Sequence, residues 1–266
     1  MTGIDLSTWA YFDTPTPLAL AHRGGALLPA NDGIENSLVA FEHAVELGYR
    51  YLETDVHCSS DGTVFAFHDD NLERLTGNPA AIDSLTAAEI GQARLGGREP
   101  IPTMRELFEA LPEARFNIDV KSDGAVDATL ALIEDCGAID RVCLASFSHE
   151  RLERIRAQMP KVATSFSPRE VARLKLSPTR AGQAFGTRGG GLCLQVPHTR
   201  GRITVVTRRF VERAHALGLQ VHVWTIDDAA EMNQLLDLGV DGLVSDRIDV
   251  LKDVLTTRGQ WRDPRA

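Results

Sequence analysis

The sequence predicts an α/β chain folded as a TIM-type (β/α)8 barrel, with one irregular hairpin strand and a short insertion over the C-terminal ends of the strands. Three observations lead there. From Leu18 to Thr257, short apolar runs alternate with stretches of helical period, the pattern of a parallel sheet covered by helices. Polar residues recur where those runs end, at His22, Asp55, Lys121, Ser146, Trp224 and Asp246. A barrel gathers strand ends around one rim, whereas an open sheet would scatter them. Finally, 266 residues, 43% of them hydrophobic, suffice for one large core.

A polar leader with Pro15 and Pro17 precedes a strand from Leu18 to Ala21, which ends in His22-Arg23-Gly24-Gly25. The paired glycines would let the backbone approach a ligand closely. After the turn residues Pro29 and Asn31-Asp32-Gly33, a helix runs from about Ser37 to Leu47, capped by Asn36 or Ser37 and stopped by Gly48. The strand from Tyr51 ends in Glu53, Asp55 and His57, which share one face because side chains alternate with period two. The turn Ser59-Ser60-Asp61-Gly62 is too short for a parallel crossover, so 63–68 return as an antiparallel partner. Folding back there sets residues whose numbers add to about 121 opposite each other, which brings His68 beside Glu53.

Residues 70–102 form the insertion, too short to bury a core of its own. Thr86 with Glu89, and Thr103 with Glu106, have capping-box spacing. Strands follow at 115–121, 142–147, 162–166, 192–196, 220–226 and 242–245. Between them come helices at 126–135, after Ser148, after Ser167-Pro168, at 204–217, at 228–238 and from Asp249 to near Thr257. Residues 177–190 read as loop and 258–266 as a loose tail, so that 1–266 make one barrel domain.

Glu53, Asp55 and Asp119 are three carboxylates at strand ends, where they would raise one another's pKa if left unpaired. A hard divalent cation with oxygen ligands, Mg²⁺ or Ca²⁺, resolves that repulsion. The plain alternative is that each pairs with an Arg or Lys, and Lys121 shares a strand face with Asp119. His22 and His68 are the candidate acid-base pair, since imidazole titrates near neutral pH, and Asp69 can orient His68. His57 faces the carboxylates as a supporting residue, and His222 reads as barrel core. Three carboxylates, a divalent cation, Arg23 and Lys121 leave roughly one net positive charge, suited to a phosphodiester or to a carboxylate.

A net charge of −9 argues against a nucleic-acid surface and a polybasic membrane patch. The four cysteines lack CxxC spacing and read as reduced core residues. No basic n-region or membrane-length apolar run is present, so a soluble, cytoplasmic protein without stable membrane anchoring is expected.

HRGG (22–25), EN (35–36), ETD (53–55), HDDNLERLTG (68–77), IPTMREL (101–107), DVK (119–121), SF (146–147), WTIDD (224–228) and GVDGLVSD (239–246) occur in that order. The ordered set resembles the glycerophosphodiester phosphodiesterase family across nearly the whole chain. The resemblance implies a TIM-type barrel, metal ligands at Glu53, Asp55 and Asp119, acid-base histidines at His22 and His68, and phosphate contacts from Arg23 and Lys121. It places Glu35, Asn36 and Trp224 with them in the substrate site. The implied reaction converts a glycerophosphodiester to glycerol 3-phosphate and an alcohol, in glycerol and lipid metabolism, and the resemblance admits the glycerol 2-hydroxyl as an internal nucleophile. Two positions depart from the family pattern: Asp119 stands where glutamate is usual, and Asp227 where asparagine often is. A lysophospholipase D specificity, favoured by an apolar groove under 70–102, and a silent phosphate-binding barrel are the alternatives.

Overall fold

A computed structural model describes residues 4–176 and 190–263. The loop expected over 177–190 lies outside them, apart from its last residue. Strands β1 (Leu18–His22), β2 (Tyr51–Cys58), β3 (Val64–Ala66), β4 (Arg115–Val120), β5 (Val142–Ala145), β6 (Ala163–Thr164), β7 (Cys193–Pro197), β8 (Gln220–Trp224) and β9 (Gly242–Ser245) build the sheet. Its order is β6-β5-β4-β2-β1-β9-β8-β7, parallel throughout, with β3 paired antiparallel to the end of β2. A bridge between Ser165 and Cys193 brings the two edges together, so eight parallel strands form a nearly closed barrel. Helices such as Leu38–Glu46, Ala125–Asp135, His149–Gln158 and Ile248–Thr257 lie between successive strands and bury their apolar faces against it.

Local signals explain most boundaries. Ser37, not Asn36, caps the first of these helices, its hydroxyl accepting from the Ala40 N–H. Both capping boxes form. Ser148, Thr207 and Asp228 each cap a helix through a side-chain oxygen.

Several expectations are corrected. The hairpin pairs Val56 with Ala66 and Cys58 with Val64, a register one residue away from that expected, and its ladder stops at Ala66 instead of reaching His68. The helix expected from Thr204 begins at Arg208, because residues 199–204 form a small antiparallel ladder first. The tail is not loose as far as Trp261. That ring packs edge-on against Tyr49 at 5.0 Å, and the Trp261 N–H donates to the Leu255 carbonyl. The leader also has a structural task. Tyr11 and Phe12 enter the apolar cluster at the base of the barrel with Leu18, Leu20 and Tyr51. The Tyr11 carbonyl accepts from Arg115 and from the Tyr51 hydroxyl, both at 2.7 Å.

The insertion buries more than its length suggested. Leu72, Ile82, Ile90, Leu95 and Ile101 form one cluster with Ile34, Phe65 and Phe67. It succeeds because three residues from outside the segment complete that core. Gly24 and Gly25 likewise serve packing. Both have positive φ, and a Cβ would lie 2.8 Å from the Ala40 backbone at the first and 2.5 Å from Ile248 at the second.

Candidate active site

The C-terminal ends of β1, β2 and β4 lie side by side, which sets His22 opposite Glu53 and Asp55 opposite Asp119. Parallel pairing in this register brings three carboxylates from two strands within reach of one basic rim. Glu53, Asp55 and Asp119 are all buried.

Charge is balanced within the protein. Lys121 Nζ lies 2.6 Å from Asp55 Oδ1 and 2.8 Å from Asp119 Oδ2. Arg23 Nε approaches Asp55 Oδ2 to 3.2 Å, but the pair is not aligned as a hydrogen bond, and both atoms are buried without a hydrogen-bond partner. Burial alone would raise the Asp55 pKa, yet Lys121 and Arg23 outweigh it and hold the carboxyl below its ordinary value. Glu53 behaves oppositely: burial pushes it up to about 7, although His22 works against the rise.

Each imidazole is fixed by a carboxylate. His22 Nδ1 donates to Asp246 Oδ1 at 2.7 Å, and His68 Nδ1 donates to Asp69 Oδ1 at 2.6 Å. With Nδ1 carrying the proton, Nε2 is left for exchange in both rings. His22 Nε2 faces Glu53 Oε2 at 3.6 Å. Burial disfavours charge on His22, but Glu53 and Asp246 prevail and hold its pKa above the ordinary value. His57, buried beneath, donates from Nε2 to the His68 carbonyl at 3.2 Å and so supports the backbone that carries that ring.

Arg23 and Asn36 both have positive φ, an uncommon backbone for side chains other than glycine, and the Asn36 N–H donates to the Arg23 carbonyl. Asn36 Oδ1 accepts from Thr54, while its buried Nδ2 has no partner. Glu35 Oε1 accepts from Arg23 Nη1 at 3.0 Å. Trp224 stands at the end of β8 and meets Phe147 edge-on at 5.9 Å, forming an aromatic side to the rim. Along the sheet, β9 and β1 lie between its strand and β2.

The structure adds residues that sequence reading left without a role here. The place of Asp246 beside His22 follows from β9 pairing with β1. Asp227 Oδ1 accepts from Ser245 Oγ at 2.9 Å and from the Asp246 N–H at 2.8 Å, fixing the turn that carries Asp246. Arg74 bridges Glu35 and Asp69.

The donor chemistry fits a hard cation, with three buried carboxylates, a Glu53 that burial holds near neutrality, and an orphaned Asp55 Oδ2. The arrangement is not a preformed cage. Among the described residues no three His, Cys, Asp or Glu side chains are grouped to hold a metal ion. The Lys121 ammonium, expected to face phosphate, supplies positive charge between Asp55 and Asp119.

Known proteins resemble this chain over nearly its whole length. The glycerophosphoryl diester phosphodiesterase family matches residues 22–250. The probable glycerophosphodiester phosphodiesterase 2 of Mycobacterium tuberculosis is 39% identical over 249 residues, covering 92% of each chain. Human lysophospholipase D is 27% identical, over 89% of this chain and 85% of its own. Among solved structures, a phosphodiesterase from Oleispira antarctica, in complex with its product sn-glycerol-3-phosphate, has a TM-score of 0.78. It is 23% identical, covering 93% of this chain and 99% of that one, a likeness of fold.

Proposed function

From the premise that this chain belongs to the glycerophosphoryl diester phosphodiesterase family, we propose that it hydrolyses glycerophosphodiesters to glycerol 3-phosphate and an alcohol, with His22 and His68 exchanging the protons. The observation that carries the reading is the pair of imidazoles, each locked through Nδ1 to a carboxylate and each keeping Nε2 for chemistry, at the mouth that holds Arg23 and Lys121. A protein that only bound phosphate would have no need of two such groups.

One imidazole takes the proton from the attacking hydroxyl, and the other gives a proton to the departing alkoxide. Arg23 and Lys121 hold the phosphoryl oxygens and stabilise charge that grows toward the transition state. Glu53, Asp55 and Asp119 would hold a divalent cation, Mg²⁺ or Ca²⁺, which supplies Lewis-acid polarisation of the phosphoryl group when bound. Lys121, which balances Asp55 and Asp119 in the metal-free chain, would then be the cation nearest the substrate phosphate. Glu35 fixes Arg23, and Asn36 offers its unpartnered Nδ2 as a donor to substrate. Trp224 with Phe147 forms the apolar side against which the glycerol or alcohol carbons lie.

The lysophospholipase D alternative rested on a groove under the insertion. Leu72, Ile82, Ile90 and Leu95 are buried in the insertion's own core at 1% exposure or less, which favours the small diester. No helix among the described residues is long and apolar enough to cross a membrane. Action on a small diester in the cytoplasm, without nucleic acid or a membrane anchor, is part of the same proposal. The test is turnover of glycerophosphocholine, glycerophosphoethanolamine and a lysophospholipid, with and without added Mg²⁺ or Ca²⁺. Release of glycerol 3-phosphate from the first two supports the reading; no release from any diester with either metal refutes it.

A further inference from the structure

Arg74 lies on the one-turn helix Glu73–Thr76 of the insertion, outside the barrel. Its guanidinium is nearly half exposed, yet it makes three short charge-assisted contacts. Nε lies 2.6 Å from Asp69 Oδ2, while Nη1 and Nη2 lie 2.9 and 2.7 Å from the two oxygens of Glu35. Both carboxylates have a second partner at the mouth. Asp69 gives its other oxygen to His68, and Glu35 gives Oε1 to Arg23. Arg74 is thus the common partner of the carboxylate that orients an acid-base imidazole and the carboxylate that orients a phosphate-facing guanidinium.

We propose that Arg74 is a positioning residue of the diesterase site, fixing His68 through Asp69 and Arg23 through Glu35. The inference rests on the functional reading given above. A carboxylate held at one oxygen can still swing about its terminal torsion, whereas one held at both has its plane fixed, and with it the direction of each bond it accepts. The planar guanidinium fork serves two carboxylates on separate loops at once, and a single ammonium cannot reproduce that geometry. The fork is itself held firmly. Leu72, one residue before the helix, is fully buried in the insertion core, and Gly77 with positive φ ends the turn. The insertion is therefore a part of the active site and not merely a cover over it. Both Arg74 and His68 depress the Asp69 carboxyl against the effect of its burial, to about 2, which keeps it an acceptor throughout the working range.

The experiment compares the wild-type chain with Arg74→Ala and Arg74→Lys on glycerophosphocholine, and follows the His68 Nδ1–H resonance by proton NMR, assigned by its loss in His68→Ala. The expected result is a fall of about 10- to 100-fold in kcat/KM for Arg74→Ala, with circular dichroism unchanged. Arg74→Lys should recover little, millimolar guanidinium should restore part of the activity of Arg74→Ala, and the hydrogen-bonded Nδ1–H signal should broaden or move upfield. Turnover within twofold of wild type, or a loss of turnover with the His68 signal unchanged and no guanidinium rescue, would overturn the proposal. If the wild-type chain hydrolyses no diester at all, the functional reading fails, and the NMR signal alone decides whether Arg74 fixes His68.

Discussion

Asp246 Oδ1 sits 2.7 Å from His22 Nδ1, although 224 positions separate the two residues in the chain. The pairing of β9 with β1 aligns Ser245 with Ala21, which delivers the next residue of each strand to the same point on the rim. Asp246→Asn should preserve this shape but weaken the preference for a proton on Nδ1. The expected loss is about 10- to 100-fold in kcat with little change in KM. Steady-state kinetics on a glycerophosphodiester checks this, and an unchanged kcat would remove Asp246 from the site.

Loss of either imidazole should be more severe. His22→Ala and His68→Ala should each lower kcat by roughly 10² to 10⁴ with little change in stability. The double variant should fall by less than the product of the two losses, since both groups serve one concerted step. Near-normal turnover in either single variant would exclude that residue from proton transfer.

Glu53 links metal binding to pH. Burial pushes its carboxyl from an ordinary 4.5 up to about 7 in the metal-free chain, so it still holds a proton in mildly acidic solution. A cation favours the ionised form, so binding should release that proton, and apparent affinity should climb with pH to about 7 and then level off. The sign for stability follows from the same shift. The folded state holds the proton more tightly than the unfolded chain, so this group makes metal-free stability decline as pH rises from 4.5 to about 7. Calorimetry in buffers of different ionisation heat measures the released proton. Chelation should abolish turnover, and added Mg²⁺ or Ca²⁺ should restore it; full activity after exhaustive chelation would sink the three-carboxylate assignment.

Asp119 tests the fit at closer range. Its carboxylate reaches about 1.5 Å less far than that of a glutamate, roughly one carbon–carbon bond. It already lies 2.8 Å from the Lys121 ammonium, near the end of a buried strand, and a direct bond to the cation there requires a site fitted to the shorter side chain. Asp119→Glu should crowd this point and weaken metal binding by titration calorimetry. Tighter binding with faster turnover would instead place Asp119 one shell away from the cation.

The sequence by itself determined the alternation of strands and helices and most of the caps, and it named the residues proposed to carry the chemistry. These are local properties. Period-two alternation puts Glu53 and Asp55 on one face whatever the rest of the chain does, and the Thr86 and Thr103 boxes close within four residues. The exact hairpin register escaped because a one-residue slip leaves the turn composition unchanged. The start of the helix at Arg208 and the anchoring of Trp261 depend on packing partners that local pattern does not name.

Only the tertiary structure decided how those residues meet. It set Asp246 on His22, Arg74 across Glu35 and Asp69, and Lys121 between Asp55 and Asp119. It also brought Tyr11 to the base of the barrel beside Arg115. The physical reason is that the order of strands around the barrel, and the stagger between them, place side chains from distant parts of the chain within hydrogen-bond range. Periodicity assigns each side chain a face, and barrel closure assigns it a neighbour.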